Sequence, residues 1–203
     1  MTKRALIVVD VQNDFCPGGA LAVKDGDQVV APLNKMIEHA QKNGWLIVFS
    51  RDWHPEKTSH FKIYRDDGKG WPVHCVKGTP GAEFHKDLNR VPGSVVVSKG
   101  VKPDEDGYSA FDGLNEHCYT LEEILGMNDV TEVYVGGLAT DYCVKATVVE
   151  AIFAKGIVRV FVLVDACRAV NLKPDDGDNA EGEMMIYCAE LKTTEEVLNE
   201  LHN

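Results

Sequence analysis

No run in this 203-residue chain approaches the roughly 18 apolar residues of a membrane span, although 44% of its residues are hydrophobic. Nor does a C-x-x-C pair occur among the six cysteines, at positions 16, 75, 118, 143, 167 and 188. A chain of this length builds its own core and needs no disulfide staples, so these are expected as reduced thiols in the cytoplasm. Positive charge is scarce. The 21 Lys and Arg face 32 Asp and Glu, a formal net charge of −11, with the acidic residues scattered rather than gathered in a tail. That balance argues against nucleic acid or an anionic membrane as partner. The first four residues lead straight into an apolar stretch, leaving no room for a signal peptide. No internal repeat, low-complexity tract or interdomain linker interrupts the chain, so residues 1–203 are expected to form a single domain.

What is present is an alternation of two periodicities. Residues 4–11 (RALIVVDV), 45–49 (WLIVF), 94–97, 133–135 and 158–164 (VRVFVLV) are short apolar runs, the mark of strands buried on both faces. A short sixth strand is expected near 190–192. Between them, Val29, Val30, Leu33, Met36, Ile37 and Ala40 form a helical stripe that stops at Asn43-Gly44. Further helices are expected near 120–127, after Cys143, around 179–189 and at the end. Thr120 with Glu123 and Thr193 with Glu196 have capping-box spacing. The alternation predicts an α/β fold, a doubly wound, mostly parallel six-stranded sheet with helices on both faces.

That architecture directs attention to strand ends, because ligands of open parallel sheets bind outside the carboxyl ends of the strands. Asp10, Asp52, Lys99 and Cys143 stand at or just beyond four such ends. Cys143 follows GGLATDY and precedes the helical spacing of Val144, Val148, Ala151 and Ile152. With Thr140 or Asp141 as N-cap, it is expected in a first helical turn, where free N–H groups and the helix dipole favour a thiolate. The plainer alternative is a small buried core residue. Beside the thiol, Asp10 can take a proton and later return it, while Lys99 offsets the negative charge. Lys99 lowers the pKa of Asp10 and burial raises it, and the residues alone leave the balance open.

A second group begins at Asp52-x-His54, whose side chains project to one side of an extended segment. His60 and His74 lie in the irregular stretch 55–93, which is longer than loops of compact domains usually are. One carboxylate and three imidazoles suit zinc, and also iron or manganese. His39, His85, His117 and His202 lack such company. Phe15, Trp71, Tyr108 and Phe111 are expected in loops on the same edge, offering planar walls to a small aromatic ligand.

Taken together, DVQNDF, SRDWHP, GWPVHCV, SKG, YSAF and GLATDYCV closely resemble the nicotinamidase/pyrazinamidase family of isochorismatase-like cysteine hydrolases, almost from end to end. The resemblance implies a catalytic triad of Asp10, Lys99 and Cys143, and one divalent metal held by Asp52, His54, His60 and His74. It implies a cis peptide between Leu138 and Ala139, with the N–H groups of Ala139 and Cys143 forming the oxyanion hole. Phe15, Trp71, Tyr108 and Leu138 match substrate-binding positions. The implied activity is hydrolysis of nicotinamide to nicotinate and ammonia through a cysteine thioester, in NAD salvage, with pyrazinamide as a second substrate. Tyr142 departs from the histidine or aliphatic residue that relatives often carry there. A small-molecule substrate is the implied partner, and a homo-oligomer is left open. A related amidase acting on a carbamoyl compound would share the triad without needing the metal cluster. A thiol-based redox sensor would share neither the turnover nor the ammonia.

Overall fold

The structure is a computed structural model that describes residues 2–67 and 69–201. Its six strands are β1 (Arg4–Val9), β2 (Leu46–Asp52), β3 (Val95–Lys99), β4 (Glu132–Leu138), β5 (Arg159–Arg168) and β6 (Glu190–Lys192). They form one sheet in the order β3-β2-β1-β4-β5-β6, and every pairing is parallel. The five helices are α1 (Val30–Lys42), α2 (Leu121–Met127), α3 (Lys145–Phe153), α4 (Asp176–Ile186) and α5 (Thr194–Leu201).

Strand alternation sorts the core into two layers. Leu6 and Val8 of β1 face Leu33, Met36 and Ile37 of α1, together with Val197 of α5. Ile7 and Val9 point the other way, into a cluster with Leu121, Leu125, Val148 and Met184 of α2, α3 and α4. Because both faces are covered, the strands read as continuous apolar runs. Both expected capping boxes are made. Glu123 N donates to Thr120 Oγ1 (3.2 Å) while Thr120 N donates to Glu123 Oε2 (2.8 Å). Glu196 and Thr193 repeat the exchange at α5, and each cap contributes about 1 kcal/mol.

Several boundaries differ from the sequence reading, among them the end of β5 and both ends of α4. Strand β5 runs past residue 164 to Arg168, because Cys167 and Arg168 pair with Gly137 and Leu138 of β4. Helix α4 starts and ends three residues earlier than the 179–189 expected. Side-chain oxygens of Asn171 and Asp176 take up Gly177 N and Lys173 N at its start. Its end is set by Cys188, at φ 75°. There Ala189 N donates to Met184 O, a left-handed termination. The direction of winding reverses between β1 and β4, so a crevice opens at their carboxyl ends. Asp10 follows one of these strands and Cys143 the other.

Candidate active site

Four adjacent strands, in the order β3-β2-β1-β4, deliver Lys99, Asp52, Asp10 and Cys143 to one place. Lys99 and Asp52 are the last residues of their strands and are register partners. Asp10 comes one residue after β1 and takes φ 49°, which turns the chain out of the sheet. Its Oδ1 accepts a hydrogen bond from Ser50 Oγ (2.7 Å) and its Oδ2 lies 2.8 Å from Lys99 Nζ. That ion pair is not a well-directed hydrogen bond, so Oδ2 keeps a lone pair for another donor. One oxygen from each of Asp10 and Asp52 and the Cys143 Sγ all lie within 4.8 Å of one another. Lys99 Nζ donates to Cys143 Sγ (3.4 Å), to Gly107 O (2.9 Å) and to Asp52 Oδ1.

All four groups are buried, and burial sets the direction of titration at Cys143 and Asp10 but not at Lys99 or Asp52. It pushes the Cys143 thiol well above its ordinary value, with Lys99 opposing and Asp10 and Asp52 reinforcing. This corrects the expectation of a thiolate stabilised at a helix start. The chain leaves β4 through the cis Leu138–Ala139 peptide into a wide turn, Thr140–Val144, and the α-helix begins only at Lys145. Neither Thr140 nor Asp141 caps it. The Asp141 carboxylate instead accepts Val170 N and Asn171 N (both 2.9 Å), tying down the chain after β5. Cys143 therefore rests as a thiol and needs a base. Asp10 suits that part, since burial raises its pKa against the pull of Lys99. Lys99 stays charged despite its burial, because Asp10, Asp52 and Cys143 surround it. Burial works against ionisation of Asp52 as well, but the opposing contacts, led by the Lys99 ammonium, outweigh it and hold that carboxyl well below its ordinary range.

The long stretch after β2 is a set of return segments. His54 N donates to Cys75 O (3.0 Å) and Lys77 N to His54 O (2.8 Å), which brings His74 back beside His54. Trp71 N donates to His60 O (3.0 Å) and Lys62 N to Trp71 O (2.8 Å), which fixes His60 across from the same strand end. Ring nitrogens of His54, His60 and His74 consequently lie within 4.8 Å of one another. Two of these rings have main-chain carbonyls behind them, Gly100 O at 3.0 Å from His54 Nδ1 and Pro72 O at 2.7 Å from His74 Nδ1. A carbonyl only accepts, so Nδ1 carries the proton and Nε2 presents a lone pair. Those Nε2 atoms stand 3.5 Å (His54) and 3.6 Å (His74) from Asp52 Oδ2, and His54 Nε2 is buried without a hydrogen-bond partner among the described residues. Lone pairs converging on an ionised carboxylate repel one another unless a cation sits among them. The donor set, three imidazoles and one carboxylate oxygen, fits a divalent ion.

Two walls flank this centre. Phe15 packs against His74, with ring centroids 5.4 Å apart. Opposite, Trp71 Nε1 donates to Tyr108 Oη (3.0 Å), and Tyr142 meets Trp71 edge-on at 4.7 Å. Between them lies a cleft of about 30 Å³ that reaches Asp52, His60, His74, Ala139 and Cys143, room for one or two waters. Two of the expected residues, Leu138 and Phe111, do not line this cleft. Leu138 is 1% exposed and its side chain packs in the α1-side core, where strand alternation at the end of β4 directs it. Phe111 packs in the opposite core layer beside α2 and α3. His39, His85 and His117 lie apart from the cluster, and His202 falls outside the described residues.

Sequence reading passed over several supporting residues. Gln12 holds Asp52 in place by accepting Asp52 N (2.8 Å) and donating to Asp52 O (2.8 Å) and Ala82 O (2.8 Å). Its buried amide two residues after Asp10, inside the quoted DVQNDF motif, was the available signal. Ser50 bonds Asp10 and sits two residues before Asp52, on the same strand face. Asp106 lies behind His60, and no local pattern marks it.

Residues 4–196 match the isochorismatase domain family. The chain is 40% identical over 206 residues to a nicotinamidase of Escherichia coli (strain K12), covering 95% of this chain and 96% of that one. Among solved structures, a pyrazinamidase of Pyrococcus horikoshii in complex with zinc superposes with a TM-score of 0.84 at 41% identity, covering 94% of this chain and 99% of that one. A protein of L. infantum in complex with nicotinate gives a TM-score of 0.81 at 31% identity, covering 96% and 94%. With that match spanning nearly the whole chain, and the strand-end residues sharing one crevice, this protein belongs to the isochorismatase domain family.

Proposed function

We propose that this chain is a nicotinamidase, a single-domain amidohydrolase that converts nicotinamide and water to nicotinate and ammonia and also accepts pyrazinamide. One observation carries the reading. The Cys143 thiol and two of three clustered histidines open onto one aromatic-walled cleft, with the candidate base Asp10 buried beside the thiol and the two halves joined through Asp52. The names of the E. coli, Pyrococcus horikoshii and L. infantum relatives point the same way.

In this reading the pyridine ring lies between Phe15 and Trp71, beside Tyr108. Asp52, His54, His60 and His74 would hold one divalent ion, zinc by the donor set and with iron or manganese as alternatives, which supplies a fixed positive charge and a template for orienting the bound amide. Asp10 Oδ2 takes the proton from Cys143 Sγ, and Lys99 stabilises the resulting thiolate across 3.4 Å. The sulfur attacks the carboxamide carbon. The N–H groups of Ala139 and Cys143 receive the tetrahedral oxyanion, each worth about 3 kcal/mol. Asp10 returns its proton to the leaving nitrogen, ammonia departs, and a thioester remains on Cys143. Water, deprotonated by Asp10, then attacks the thioester carbon and releases nicotinate and the free thiol. The product would feed NAD salvage in the cytoplasm.

Metal removal tests the reading as a whole. Ammonia release from nicotinamide should fall to background in protein shown by elemental analysis to be metal-free, and should return when zinc is restored. Full activity in the metal-free sample would remove the four-residue centre from the account.

A further inference from the structure

The three imidazoles of the centre are held from behind in two ways. Main-chain carbonyls fix His54 and His74. Behind His60 stands a carboxylate instead, with Asp106 Oδ1 2.9 Å from its Nδ1. The Asp106 side chain is 55% exposed, while that of His60 is 4% exposed, so a surface charge reaches inward to a buried ring. The segment that carries Asp106 is anchored at both ends to the site. Gly100 O accepts from His54 Nδ1 at one end, and Gly107 O accepts from Lys99 Nζ at the other. Gly107, at φ 63°, packs so closely that a Cβ there would come within 2.3 Å of Gly100 N. The segment is thus pinched shut at its base and presents Asp106 at a fixed place on the mouth of the cleft.

We propose that Asp106 is a positioning residue for the metal centre. By accepting Nδ1–H it fixes the His60 ring and the tautomer that turns Nε2 toward the ion, and it adds an anionic charge behind that ligand. Carboxylate–histidine–metal relays of this kind raise ligand basicity, and losing the outer partner typically costs 10–100-fold in metal affinity. Among the described residues, His60 is the one of the three imidazoles whose Nδ1 partner is a side chain, so that partner is open to substitution. The inference rests on the metal-dependent reading above, and its test separates the two.

Zinc affinity of the intact protein would be measured by competition with a chromogenic chelator for the parent, Asp106→Ala, Asp106→Asn, Asp106→Glu and Asp104→Asn. Asp104 is an exposed acid on the same segment, so Asp104→Asn controls for a general loss of negative charge. Asp106→Ala should bind zinc 10–100-fold more weakly. Asp106→Glu should recover most of the loss. Asp106→Asn should lie between, since its amide oxygen still accepts from Nδ1–H but carries no charge. Asp104→Asn should match the parent, and the metal-free melting temperatures should agree across the series. Parental affinity in Asp106→Ala, or an equal fall in Asp104→Asn and Asp106→Asn, overturns the proposal. Should Asp106→Ala fail to fold, parental affinity in the near-isosteric Asp106→Asn does the same. A parent that binds no zinc overturns the metal reading itself, and this inference with it.

Discussion

Asp52 divides its carboxylate between the two halves of the site. One oxygen bonds Lys99, and through it the thiol side, while the other faces His54 and His74. The sequence suggests two constellations, and this residue makes them one. Asp10 is the complement of Asp52. Both are buried and both face Lys99, yet burial prevails at Asp10 and raises its pKa, whereas at Asp52 the opposing pull, led by Lys99, prevails. A base works only when ionised, so a raised pKa means activity is lost early as pH falls. The acid limb of kcat/KM for nicotinamide should therefore lie above the ordinary carboxylate range of about 4. A pH profile of the metal-loaded enzyme checks this, and a limb at or below that range would contradict the assignment of Asp10 as base.

Among the elements, β1 and β4 matter most, because they flank the crevice and are followed by Asp10 and Cys143, the two residues proposed to exchange the proton. Gly137 pairs with Val9; its φ is 137°, and an added Cβ there would come within 2.0 Å of Val9 O. Gly137→Ala should therefore push β4 off β1, destabilising the fold by about 3 kcal/mol through backbone strain and overpacking and displacing Asp10 relative to Cys143. Thermal unfolding together with kcat reports both effects, and a variant with parental melting temperature and rate would refute this account of the strand contact. Most of this level was legible beforehand. Continuous apolar runs betray strands covered on both faces, and in a parallel sheet their polar last residues must converge, which is why Asp10, Asp52, Lys99 and Cys143 could be singled out. The shape of the first turn after Cys143 was not legible, because Asp141 is recruited by Val170 and Asn171, some 30 residues onward. Asp106 was hidden for a similar reason. Its importance arises from a contact 46 positions away in sequence. Helix α4 was misplaced by three residues because local bonds from Asn171 and Asp176, rather than apolar periodicity, set its start.

For the whole molecule, an acidic chain encloses a buried cluster of charged groups. With a net charge of −11, the chain favours no anionic polymer, and no helix among the described residues is long and apolar enough to cross a membrane. What it offers is a narrow, aromatic-lined entrance to a buried cluster of polar and charged groups, where electrostatic interactions are stronger than in water. The sheet provides the rigid frame, the return segments after β2 provide the histidines, and the turn after β4 provides the sulfur. The most direct measurement of whether this assembly is a thioester-forming amidase is nicotinate production by metal-loaded parent and Cys143→Ala, with nicotinamide affinity determined on the same samples. The account predicts that the variant loses at least about 10⁴-fold in rate while still binding nicotinamide and metal. Nicotinate formation by Cys143→Ala near the parental rate would contradict it.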